Sequence, residues 1–223
     1  NAVFEDLIYQ NLRQVGSNSS EQSQLPTGLH LGLGVRTVAT SRSFSQGSLQ
    51  QTGNNLDIAI QGNGFFQITM PDGTTNYTRD GSFQVDNQGR LVTSTGLPVA
   101  NGVTVPANAR SLAISADGTV TAMIPGNSSP QAVGTIALAS FINTAGLEPR
   151  GQNLFAESAA SGQPNSGVPG ANGLGTLSQG FLETSNVNVV QELITMIQTQ
   201  RAYEMNSKAI QTSDQMLQKL GQI

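Results

Sequence analysis

The chain has 223 residues, 37% of them hydrophobic and only 11% charged, enough to bury a core while solubility rests on neutral polar groups. A net charge of −4 with no cluster of Lys or Arg argues against nucleic acid or an anionic membrane as the main partner and points to protein. The absence of Cys excludes disulfides, thiolate metal sites and thiol catalysis.

The first residues, "NAVFEDLIYQ", lack the basic and apolar regions of a signal peptide, and no apolar run approaches the roughly 18 residues of a membrane span, so no membrane insertion is expected. Val3, Phe4, Leu7, Ile8 and Leu12 are spaced for a short amphipathic helix over Ala2 to Val15. Gly16 to Gly28 shows no period and predicts a loop or extended linker.

From about Leu29 to Ile142 the grammar is all-β, with turns at Asp72-Gly73, Asp80-Gly81, Asp86 to Gly89 and Asp117-Gly118. Strands are predicted at Phe65 to Met70, Thr74 to Thr78, Ser82 to Val85, Arg90 to Thr93, Ser111 to Ser115 and Thr119 to Ile124. Ala159 to Gly175 is dense in Gly and Pro and predicts an irregular loop. From Asn188 no Gly or Pro occurs until Gly221, which predicts one long helix, N-capped near Ser185 to Asn188 and stopped at Gly221.

The fold class is therefore mainly β with α. An antiparallel β-domain, a small sandwich or open barrel, is flanked by a long C-terminal helix and a short N-terminal helical segment. The boundaries fall at residues 1–28, 29–180 and 181–223.

Enzyme chemistry finds no foothold, and no cofactor or metal is expected. The one histidine, His30, reads as a strand residue, and the glycines around it lack the rest of a phosphate-binding loop. Four aspartates sit in turn positions, where the carboxylate bonds its own backbone; Asp57 stands before an apolar strand and is expected to pair with Arg79 or Arg90. Gly62 and Gly64 read as backbone requirements ahead of Phe65 and Phe66, of which at least one belongs in the core.

On the terminal helix Val189, Leu193, Met196, Tyr203, Ile210 and Leu217 form a three-four seam broken by Gln200, Ser207 and Asp214, with a second row at Val190, Ile194 and Ile197. A helix of about 50 Å exceeds what a small β-domain can cover, so part of it should meet other chains. Val189, Leu193, Ile194, Ile197, Tyr203, Ile210, Leu217 and Leu220 are the expected inter-subunit contacts.

Three stretches carry a resemblance. "ETSNVNVVQELITMIQTQRAYEMNSKAIQTSDQML" (Glu183 to Leu217) resembles the C-terminal signature of the bacterial flagellar axial rod and hook family. "IQGNGFFQI" (Ile60 to Ile68) and "YTRDGSFQVDNQGRLVTSTGLPV" (Tyr77 to Val99) resemble that family's central blocks, in the same order, and the match is closest to its distal rod members.

The resemblance implies a non-enzymatic structural subunit of a straight, hollow tube in the flagellar basal body, with terminal helices lining the lumen and the β-domain outside. It implies export through the flagellar channel without a cleaved signal peptide. The implied partners are copies of itself, proximal rod subunits, the hook protein, the ring proteins that act as a bushing, and the export apparatus. It also implies a rod-specific stiffening segment over about Tyr9 to Pro26, including Gln10, Arg13, Ser20 and Glu21. The family begins with a helix carrying an Asn- and Ala-rich motif, and this sequence starts after it. The rivals are a hook protein or another rod subunit and, from a different class, a secreted β-domain that binds or hydrolyses carbohydrate.

Overall fold

The computed structural model describes residues 2–6, 9–13, 18–20, 23–24, 29–32, 35–40, 42–126 and 129–220, those up to residue 39 by their strand pairing alone. The first strands are β1 (Ala2–Asp6), β2 (Tyr9–Arg13), β3 (Asn18–Ser20), β4 (Ser23–Gln24), β5 (Leu29–Gly32) and β6 (Val35–Thr40). They pair in a nested antiparallel order, β1 with β6, β2 with β5 and β3 with β4, as one ribbon doubled back on itself.

The short helix expected over Ala2 to Val15 is therefore corrected to strands. An isolated helix of this length is marginal, whereas Val35–Thr40 offers a partner rich in Val and Thr whose ladder runs from Ala2 opposite Thr40 to Asp6 opposite Val35. Long-range pairing overrode the local apolar period. The linker expected over Gly16 to Gly28 likewise contributes β3 and β4.

The β-domain follows as β7 (Leu49–Gln51), β8 (Ile58–Gln61), β9 (Phe65–Thr69), β10 (Thr75–Thr78), β11 (Phe83–Val85), β12 (Leu91–Thr93), β13 (Ser111–Ile114), β14 (Thr119–Met123) and β15 (Gln131–Thr135). It continues with β16 (Leu138–Ser140), a 3-10 turn at Thr144–Gly146, β17 (Glu148–Gly151), β18 (Leu154–Ala156), β19 (Asn165–Gly167), β20 (Thr176–Gln179) and β21 (Phe181–Glu183). The chain ends in α1 (Val189–Leu220).

The six strands predicted from turn grammar, β9 to β14, lie within a residue of their expected ends. The turns are made as the sequence suggests: Asp72 accepts from the Thr74 amide (2.9 Å) and hydroxyl (2.6 Å), Asp80 does the same with Ser82 (3.0 and 2.7 Å), and Asp117 accepts from the Thr119 amide (3.1 Å).

The central sheet runs β17-β18-β10-β9-β16-β19, flanked by the three-stranded ladder β13-β14-β15 and by two-stranded ladders, with no closed barrel among the described residues. β19 lies within the segment predicted to be irregular. It pairs with β16, so even this Gly-rich stretch supplies the sheet with an outer strand.

Alternation along β9 sends Phe65 and Phe66 to opposite faces, and both faces are covered. Phe66 is fully buried with Ile58, Ile60, Ile68 and Leu138, its ring edge-on to Phe83 at 5.0 Å. Phe65 is buried on the other face with Tyr77, Phe141 and Leu147, and half-buried Phe44 and Phe155 close that cluster. Tyr77 meets Phe141 edge-to-face at 4.7 Å.

Two outcomes follow. Phe66→Ala should cost about 3 to 5 kcal/mol in denaturant unfolding, since the cavity would open at the centre of the main core. Burial, and secondarily the nearby Glu157 carboxylate, push the Tyr77 phenol above its ordinary value of 10.0. The unfolded chain ionises first, so stability is intact below that pH and falls as pH rises from there toward the folded-state value. Tyr77→Phe should lessen that alkaline loss when unfolding midpoints at about pH 9 and about pH 11 are compared.

Candidate functional site

The sequence places most of its candidate residues on α1, and α1 begins with a well-made cap. The Asn188 Oδ1 accepts from the amides of Val190 (3.1 Å) and Gln191 (3.3 Å), and the Asn188 carbonyl accepts from the Glu192 amide at 3.0 Å. Glu192 in the first turn and Lys219 in the last oppose the helix dipole. Thirty-two residues give a helix about 48 Å long.

No described side chain of α1 is buried. Leu193 and Ile194 are each 51% exposed, Ile197 48%, Ile210 64% and Tyr203 76%, and Val189, Val190, Met196, Met205 and Met216 are exposed as well. Such a concentration of uncovered large apolar groups on one helix exceeds the single exposed apolar residues ordinarily scattered over a protein surface. Leu217 and Leu220 lie on α1, but their side chains fall outside the described residues.

The base of this helix is held by a polar junction. The Arg79 Nε donates to the Glu183 Oε2 at 2.8 Å, both side chains being largely buried. Its Nη1 donates to the carbonyls of Gly62 and Gly64, each at 3.0 Å, and its Nη2 to that of Ile60 at 3.4 Å. The other Glu183 oxygen, Oε1, accepts from the Gly47 amide at 2.8 Å. Gln46 closes the ring, accepting from the Gly62 amide (3.1 Å) and donating to the Ile60 carbonyl (3.0 Å).

Glycine is required where backbones meet here. Gly62 and Gly64 hold φ of 110° and 142°, and a Cβ on Gly64 would sit 3.3 Å from the Leu138 side chain. A Cβ on Gly47 would collide with the Thr184 carbonyl. Beyond it the Thr184 amide and hydroxyl both donate to the Ser48 carbonyl (2.8 and 3.0 Å), and the Asn186 Nδ2 donates to the Ser45 carbonyl at 2.9 Å. Residues 43–48 and 183–186 are thus laced together two residues before the helix cap.

The Arg79–Glu183 pair and the bonds made by Gln46 and Asn186 escape sequence reasoning, because Arg79 and Glu183 lie 104 positions apart and no local pattern pairs them. The pairing expected for Asp57 is corrected. Asp57 accepts from the Asn54 Nδ2 at 3.1 Å, while Arg90 bonds Asp86 across its own turn at 2.8 Å and Arg79 is taken by Glu183. His30 lies in β5, within the ribbon. Of the ribbon candidates, Tyr9, Gln10 and Arg13 lie in β2 and Ser20 in β3, and Glu21 and Pro26 fall outside the described residues.

Arg79→Ala should cost about 2 to 4 kcal/mol in denaturant unfolding, because Glu183 and three carbonyls lose a charged donor. The Arg79→Ala, Glu183→Gln pair should cost less than the sum of the single changes.

Comparisons with known proteins converge on these same elements. Residues 59–122, which hold the glycine motif and Arg79, match the family described as flagellar hook protein FlgE/F/G D1 domain. Residues 178–223, which hold Glu183, the cap and α1, match flagellar basal body rod FlgEFG protein C-terminal. The flagellar basal-body rod protein FlgG of Buchnera aphidicola subsp. Acyrthosiphon pisum is 53% identical over 222 residues, covering 100% of this chain and 85% of that protein. FlgG of Caulobacter vibrioides is 46% identical over 223 residues, with 100% and 85% covered, and the flagellar hook-basal body complex protein FlhP of Bacillus subtilis is 34% identical, with 96% and 82% covered. Arg79 and Glu183 join the two matched segments in one ion pair, and with full-length similarity to rod proteins at this level the chain belongs to the flagellar basal-body rod protein family.

Proposed function

We propose that the protein is a subunit of the distal rod, self-assembling into a hollow, straight tube that transmits torque from motor to hook and passes exported subunits. The observation that carries this is the row of large apolar side chains along α1, about half exposed or more, on a helix that is capped and continuous yet uncovered. Burying them against neighbouring copies supplies the driving force for assembly.

In this proposal α1 forms the inner wall, the β-domain from Leu49 to Glu183 the outer body, and the Tyr9 to Pro26 segment stiffens contacts between subunits. The subunit meets copies of itself, proximal rod subunits, the hook protein, the ring proteins and the export apparatus. It spans periplasm to outer membrane, leaves the cell without a cleaved signal peptide, and does no catalysis.

Electron microscopy of the assembled full-length protein should show straight, hollow tubes; curved, supercoiling tubes would indicate a hook-type subunit instead. Ile197→Asp should abolish assembly and motility while leaving the unfolding transition of the β-domain unchanged, since Ile197 touches none of its core. Normal motility with this variant would sink the proposal.

A further inference from the structure

The chain holds three Asn-Gly steps, Asn63-Gly64, Asn101-Gly102 and Asn172-Gly173. Such a step can react with itself. The backbone nitrogen of the glycine attacks the side-chain carbonyl carbon of the asparagine, the new bond closes a succinimide ring, and ammonia leaves. Water then opens the ring at one carbonyl or the other, giving aspartate or isoaspartate. Glycine is the most permissive second residue because no Cβ hinders the approach. The reaction needs an exposed asparagine and a peptide plane free to rotate, so hydrogen bonds on that plane oppose it.

The fold separates the three. At Asn63-Gly64 the plane is clamped: the Asn63 carbonyl accepts from the Gly175 amide at 2.7 Å, and Gly64 is buried with its own carbonyl on the Arg79 Nη1 at 3.0 Å. At the other two steps both residues are exposed and left-handed, with φ of 70° and 60° at Asn101 and Gly102 and of 51° and 77° at Asn172 and Gly173. Among the described residues, neither the asparagine carbonyl nor the glycine amide of these two steps is hydrogen-bonded. A Cβ on Gly102 or Gly173 would meet nothing within 4 Å. Around Asn172 one bond closes the turn, from the Leu174 amide to the Ala171 carbonyl at 2.9 Å, so little opposes rotation of the plane.

We infer that Asn101 and Asn172 are sites of spontaneous deamidation, and that Asn63 is protected by the bonds that hold the glycine motif. Each conversion turns a neutral amide into a carboxylate within a stretch that has no charge: residues 91–109 and 158–182, where the two turns sit, contain no Asp, Glu, Lys or Arg. Together the two conversions take the net charge from −4 to −6. The isoaspartate product also routes the main chain through the side chain and lengthens the turn by a methylene. At Asn172 that turn borders the groove lined by Phe65, Phe141 and Ile142, to which Gly173 contributes. Ageing of the protein is thereby written as negative charge at two defined points of the β-domain and spares the base of α1.

The protein is incubated in mildly alkaline buffer, where hydroxide speeds loss of the glycine amide proton, and each site is followed by mass spectrometry of proteolytic peptides, with isoaspartyl methyltransferase labelling to count isoaspartate. The expected result is a gain of about 1 Da at Asn101 and at Asn172, each at least about tenfold faster than at Asn63. In guanidinium the three rates should converge, since the clamp on Asn63 is lost with the fold. Asn101→Gln combined with Asn172→Gln should remove the acidic species that isoelectric focusing resolves in the incubated wild type. Conversion of Asn63 in the folded protein as fast as the other two would overturn the protection. Absence of conversion at Asn101 or Asn172 in the folded protein would overturn the assignment of that residue.

Discussion

The structure depends on one ion pair in a chain that has few charges to use. Arg79 engages Nε, Nη1 and Nη2 together, and Glu183 uses both oxygens, so each group is satisfied at a largely buried site where an unpaired charge would be costly. The planar fork of arginine reaches a carboxylate and several carbonyls together, which the single ammonium of lysine could not do. Through it the tight backbone of Gly62 and Gly64 is tied to the strand that leads into α1.

From this pair the packing is continuous in both directions. Phe44, just after the ribbon, meets Phe65 at 5.7 Å and Phe155 at 5.2 Å, so the junction leans on the aromatic face of the central sheet. The opposite face of the same strand holds Phe66 and the main core. On the other side, Asn186 binds the loop at Ser45 and Asn188 caps the helix two residues later. A load applied to α1 therefore reaches the core through hydrogen bonds and ring contacts rather than through a slack linker.

Much of the β-domain was legible in the sequence because its turns are local. Asp72, Asp80, Asp86 and Asp117 each bond the backbone within a few residues, and those short-range bonds punctuate the strands around them. α1 was legible for a similar reason, since Asn188 and the run without Gly or Pro define it from within. What could not be read depends on distant partners. Val3 and Phe4 carry a spacing that suits a helix as well as a strand, and only Val35–Thr40 decides between them. Phe65 and Phe66 signal one buried face, while burial of both follows from Phe141 and Leu147, more than 70 positions away. At the junction the sequence supplied the glycines but not the guanidinium that holds their carbonyls.

The bonds between Ser48 and Thr184 have a topological meaning. The chain enters and leaves the β-domain through one doorway, two residues wide, so everything from Leu49 to Glu183 is an inserted cassette whose ends are stapled together. What lies beyond the doorway can lengthen, shrink or be exchanged without altering the spacing between ribbon and helix. Variation in the outer body is thereby uncoupled from the geometry of the two arms.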